Sequence, residues 1–209
     1  MITAFRSALD LLRAALSEAH GDLPGVIVAG VLLMVLSVGP EWYLKDETAT
    51  IMIGSLAGFV AQYWLTRRAL DRHGLRHGRG VVALYFGMCL VSGLGIVLGL
   101  VLLILPGLWL AARWIAAGPV LFCEEVGAID ALGRSASLTK GRVVPIMIAL
   151  VLASMPVLLV IGLAFLRDEY DMATSIIENT ALTVSQMLVW YIAVVVYRAG
   201  ITFSAPTDA

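Results

Sequence analysis

Arg113 stands inside the apolar run 108–122, where a guanidinium cannot be left without compensation. An arginine at the centre of a bilayer costs about 2.5–3.5 kcal/mol on insertion scales, and less where it snorkels outward. Its rigid fork of N–H donors matches two oxygens of a carboxylate or a phosphate. Two roles follow from that chemistry. Arg113 either pairs as a structural charge with an outer carboxylate such as Glu41, Asp46 or Glu178, or it holds an anionic group such as a lipid phosphate. Glu124 and Glu125 lie about 16 Å or more along the same helix, too far to pair with it. Their available partners are Arg134, Lys140 and Arg142, which join Arg113 as the candidate lipid- or anion-binding set.

Other reactive side chains point to less. His73 and His77 have helical i, i+4 spacing with Asp71 near, but Gly74, Gly78 and Gly80 weaken a helix there and no further ligand is supplied. The segment 67–80 reads instead as a basic loop facing anionic headgroups, with about 1 kcal/mol available per charge near the surface. Cys89 and Cys123 read as small buried hydrophobes, not as a disulfide or a metal site. Gln62, Ser154, Ser185 and Gln186 are polar residues in apolar segments. In a transporter they would line a shared path, and in a scaffold they would be satisfied at helix contacts. No HExxH, GxSxG, P-loop, CxxC or paired-carboxylate signature occurs, so neither an enzyme nor a cofactor is expected.

The elements that carry these residues follow from composition. Of 209 residues 60% are hydrophobic and 14% charged, too few charges to cover a soluble domain, so lipid is the expected solvent. A net charge of −1 and the lack of any recognition module argue against nucleic acid. Six apolar segments, 23–40, 49–66, 80–105, 107–123, 143–166 and 180–199, predict an all-α, polytopic helical bundle forming one integral membrane domain, 1–209. The first is read as an uncleaved span rather than a signal peptide. Two amphipathic surface helices are predicted at 3–19 and 127–140, the second stopped by Gly141. The helix over 3–19 presents Phe5, Leu9, Leu12 and Leu16, either to the membrane surface or to the bundle.

A turn at Pro106-Gly107 separates the third and fourth segments and fixes the parity. With six spans and the N-terminus inside, the cytoplasmic side holds Arg6, Arg13, Arg67, Arg68, Arg72, Arg76, Arg79, Arg134, Lys140, Arg142 and Arg198, and the outside only Lys45 and Arg167. That asymmetry favours both termini inside over a five-span alternative. Gly54 with Gly58, and Gly95 with Gly99, form small-xxx-small stripes read as helix contacts, with Gln62 one turn beyond the first pair. Residues 3–66 and 127–199 share an order of amphipathic helix, span, acidic loop and span, a weak parallel repeat.

Leu105-Pro-Gly-Leu-Trp-Leu-Ala-Ala-Arg-Trp114, then Pro119, Glu124-Glu125 and Ala131-Leu-Gly-Arg-Ser-Ala-Ser-Leu-Thr-Lys-Gly141 form an ordered pattern. It resembles the membrane domain of glycerophosphoryl diester phosphodiesterases and related bacterial inner-membrane proteins, over about 105–142. The family pattern has one glutamate where this chain has two. The resemblance implies a membrane module of the bacterial inner membrane without the catalytic barrel, whose acidic and histidine motifs are absent here. The expected function is non-enzymatic support of lipid or envelope homeostasis. Its partners would be anionic lipid headgroups, another protein or a second copy of the chain, and the alternative is a small transporter or channel.

Overall fold

A computed structural model of the chain describes residues 2–43, 46–75, 82–164 and 171–204. Among them the secondary structure is all helical: α1 (Ile2–Gly21), α2 (Leu23–Tyr43), α3 (Glu47–Arg72), α4 (Val82–Leu102), α5 (Ile104–Trp114), α6 (Ala117–Cys123), α7 (Ala128–Leu138), α8 (Val143–Ala153), α9 (Met155–Ala164) and α10 (Met172–Ser204). Five stretches are long and apolar enough to cross a membrane: α2, α3, α4, α5 with α6, and α10. A sixth is added if α7 and α8, bent by 105° at their junction, form one broken span. The chain therefore has the make-up of a multi-pass membrane protein. Leu94, Val97, Leu98 and Val101 on α4 and Val28, Val31 and Val35 on α2 are exposed large apolar side chains, as a lipid solvent permits.

Proline and capping chemistry set the boundaries. Asp46 accepts from the Ala49 amide at 3.0 Å and starts α3, which then runs without glycine or proline past Gly58 to Arg72. Arg67, Arg68 and Arg72 thus lie on a helix, not in the loop predicted for 67–80. The turn comes at Gly74, whose φ of +63° suits glycine. Asp171 likewise accepts from the Thr174 amide at 2.8 Å, so α10 begins well ahead of residue 180. The segment predicted as one span over 143–166 is two helices. Pro156 has no N–H for the Leu152 carbonyl and its ring crowds that oxygen, so the helix breaks at Ser154. This also separates the two halves of the suggested repeat, since α2 is a single helix of 21 residues.

The reversal between α4 and α5 occurs at Leu103, whose extended backbone (φ −164°, ψ 137°) caps α5. Pro106 falls in the first turn of α5, where its missing N–H costs nothing. The two helices then run antiparallel in close contact. A Cβ on Gly99 would lie 2.7 Å from the Gly107 Cα, and one on Gly95 would lie 2.6 Å from the Trp114 ring. The other stripe is engaged at one end only. A Cβ on Gly54 would sit 3.7 Å from the Ser37 hydroxyl, but at Gly58 it would meet nothing within 4 Å among the described residues, so Gly58 is not a contact glycine. Gly99→Ala must push two backbones apart and is expected to cost about 1–2 kcal/mol of thermal stability in detergent, whereas Gly58→Ala, in open space on a helix, should not lower the melting temperature. Equal effects at the two sites would contradict this packing.

α1 and α7 are bound into the bundle. α1 packs on α8 and α10 through Ala8 and Ala15, both fully buried, while Phe5 and Leu16 of the predicted stripe are exposed. α7, predicted as a surface helix, packs against α4, α5, α6 and α10 and buries Ala131, Leu132, Ser135 and Leu138. A cluster of aromatic rings from α3, α4 and α6 fills the space between them. Tyr63, Tyr85 and Phe122 have centroids 5.1–5.4 Å apart, and Phe59 lies 5.5 Å from Tyr85.

Candidate functional site

The α5–α6 span is interrupted where Pro119 leaves the Ile115 carbonyl without a helical donor. The break frees the Arg113 carbonyl and the Ala116 amide, and α7 supplies both missing partners. The Ser135 hydroxyl donates to the Arg113 carbonyl at 2.9 Å and accepts from the Ala116 amide at 3.1 Å. The Thr139 hydroxyl lies 3.3 Å from the same carbonyl and closer, at 3.0 Å, to the Ser135 carbonyl of its own helix. The Ser135 hydroxyl thus ties α7 into the bundle, since unpaired backbone groups are expensive away from water.

Around this junction the predicted binding residues do not form one cluster. Arg134 is tied to Glu124 at 3.1 Å, while Glu125 and Lys140 are exposed and Arg142 stands just ahead of α8. The Arg113 side chain is half-buried, with its guanidinium carbon 5.2 Å from the centre of the Trp109 ring. Among the described residues it makes no ion pair. Two of its expected partners are engaged elsewhere. Glu41 accepts from the Ser175 hydroxyl at 2.6 Å, and Asp46 caps α3.

Positive charge is instead concentrated at the C-terminal end of α3. Arg68 Nε donates to Asp22 at 2.7 Å, and Arg72 donates to Glu18 at 2.9 Å. Glu18 also receives Arg198 at 3.0 Å and lies 2.7 Å from His73 Nε2, so one carboxylate gathers two guanidinium groups and an imidazole. Asp22, only 1% exposed, has the Tyr191 hydroxyl 3.4 Å away on its other oxygen. These bonds join α1, α3 and α10 at one end of the bundle. Arg67 makes no ion pair among the described residues. It reaches the Tyr63 hydroxyl at 3.2 Å and lies over that ring, as Arg68 lies over Trp64. His77, Arg76 and Arg79 lie outside the described residues.

Trp64, Arg67, Arg68, Asp71 and Arg72 line an open pocket of about 520 Å³. Trp64 also closes the end of a groove of about 540 Å³ between α2 and α3, whose walls are apolar: Val28, Leu32, Leu36, Leu56 and Val60. The arginine-rich pocket and the apolar groove thus share Trp64 as a common wall. The sequence places Arg67 and Arg68 in a basic segment facing headgroups but gives no role to Glu18 and Asp22. The available signal was spacing, since acids four apart on one segment face arginines four apart on another.

Gln62 lies deeper, lining a separate cavity between α3, α4, α5 and α10. Ser154 bonds within its own helix to the Leu150 carbonyl, and Ser185 is buried without a partner among the described residues. No family model, curated protein or solved structure matches the chain.

Proposed function

We propose that this chain is a non-enzymatic, multi-pass protein of the bacterial inner membrane, with both termini cytoplasmic, that binds anionic phospholipid. The observation that carries the reading is the arginine-rich pocket of Trp64, Arg67, Arg68, Asp71 and Arg72 adjoining, at Trp64, the apolar α2–α3 groove. That pairing matches a lipid, with a phosphate for the guanidinium forks and an acyl chain for the groove. The ion pairs to Asp22 and Glu18 hold Arg68 and Arg72 in place, leaving Arg67 to meet a headgroup. The excess of arginine on this side of the predicted topology supports a pocket at the cytoplasmic leaflet. Arg113, beside the exposed Trp109, is a second candidate contact. The resemblance of residues 105–142 to a phosphodiesterase membrane domain accords with a role beside lipids rather than in catalysis.

Native mass spectrometry of the detergent-purified protein titrated with phosphatidylglycerol tests this. Arg67→Gln is expected to weaken retention about fivefold, the value of about 1 kcal/mol for one charge near the surface. Phosphatidylethanolamine binding should change little. Arg113→Gln, measured alongside, reports on the second contact. If Arg67→Gln retains phosphatidylglycerol as wild type does, the α3 pocket is not a headgroup site.

A further inference from the structure

The cavity beside Gln62 is unlike the lipid-facing surfaces. It holds about 190 Å³ and is lined by Gln62 and Thr66 of α3, Tyr85, Cys89 and Ser92 of α4, and Trp190 of α10, with apolar residues between. None of its described lining residues is charged. Tyr85 is fully buried, and among the described residues its hydroxyl makes no hydrogen bond of good geometry, its polar neighbours being the Cys89 thiol and the Thr66 hydroxyl. A buried hydroxyl left in this way loses about 1–3 kcal/mol unless something fills its bonding capacity. The cavity also lies close to the charged end of α3. Thr66 is only two residues, about 3 Å of helix rise, from Arg68.

We infer that this cavity is a binding site for a small, uncharged, hydrogen-bonding solute. The volume sets the size, since it equals the space of about six waters in the liquid. The lining sets the chemistry. A charged ligand would meet no countercharge in a low-dielectric setting and be costly to hold. A neutral polyol or amide can satisfy the Tyr85 hydroxyl, the Gln62 amide and the Thr66 hydroxyl together. This site is distinct from the lipid pocket, and it bears on whether the bundle admits solutes.

Cys89 reports on occupancy, because Cys123→Ala leaves it as the one cysteine of the chain. The full-length Cys123→Ala protein in detergent is treated with N-ethylmaleimide, in erythritol or in sucrose of matched viscosity. Labelling of Cys89 is expected, with erythritol slowing it about threefold when present at roughly twice its dissociation constant. Sucrose, too large for the cavity, should not slow it. Tyr85→Phe and Gln62→Leu, which keep ring and chain volume, should abolish the protection while labelling in plain buffer continues. A Cys89 that never reacts, even at high pH where the thiolate forms, overturns the inference, because the cavity then admits no small molecule. Equal rates in erythritol and sucrose overturn it too, leaving a cavity that holds water only, as does protection that persists in both variants.

Discussion

Ser135→Ala is expected to be among the most destabilising single changes in this protein, at about 3 kcal/mol. The hydroxyl is fully buried and serves two backbone groups at once, the Arg113 carbonyl and the Ala116 amide. Each orphaned group costs about 1–3 kcal/mol when buried. For a chain of 209 residues a loss of about 3 kcal/mol lowers the melting temperature by roughly 6–12 °C. Thr139→Val should cost less, about 1 kcal/mol, because Ser135 still serves the Arg113 carbonyl and valine keeps the shape. Ser137→Ala is the control. Its exposed hydroxyl bonds only the Arg134 carbonyl of its own helix, so the change should stay within about 0.5 kcal/mol. The check is thermal unfolding of the three purified variants in one detergent. If Ser135→Ala melts with Ser137→Ala, the α7 hydroxyl is not what repairs the broken span.

That break shows where sequence reading stopped short. Composition and run length made the helical class and the apolar segments legible, because a chain so poor in charge can satisfy its backbone in lipid only through helices. Pro119 and Pro156 carried the positions of both interruptions, since each leaves a carbonyl four residues earlier without a donor. What a sequence does not show is how an interruption is repaired. Ser135 and Thr139 look like ordinary polar residues on an amphipathic helix, so α7 was assigned to the surface. The partners of Ser135 are backbone atoms 19 and 22 residues away. Close approach misled in the same way at α1, where Ala8 and Ala15 bury more completely than the larger Phe5 and Leu16. A hydrophobic stripe reports transfer energy, whereas small residues report how near two backbones can come. The candidate site was legible in its cations and illegible in its anions. Arg67 and Arg68 stand out after Tyr63 and Trp64, but Glu18 and Asp22 acquire meaning only when α1 and α3 meet.

Glu18→Ala is the second large effect, and it connects stability to the lipid pocket. The carboxylate is 10% exposed and faces Arg72, Arg198 and His73. Removing it leaves positive groups converging on an empty space. For a fully buried cluster such a loss runs to about 3–5 kcal/mol. Arg72 and Arg198 are 28% and 40% exposed, so water screens part of the repulsion and about 2 kcal/mol is the expected cost. That corresponds to roughly 4–8 °C in melting temperature. Glu18→Gln should cost nearly as much, because it keeps the volume but not the charge. Adding Arg198→Gln to Glu18→Gln should recover part of the loss, since the second change removes one of the stranded cations. The cycle is read by melting temperature, and additive losses would mean that the groups do not interact. Lipid retention gives the decisive second reading. Arg72 bonds both Glu18 and the Glu18 backbone carbonyl, and it lines the same pocket as Arg67. If the carboxylate serves to hold that arginine for a headgroup, Glu18→Gln will change phosphatidylglycerol retention as well as stability. If it serves only to tie α1 to α3 and α10, the melting temperature will fall while lipid retention at low temperature stays as in wild type.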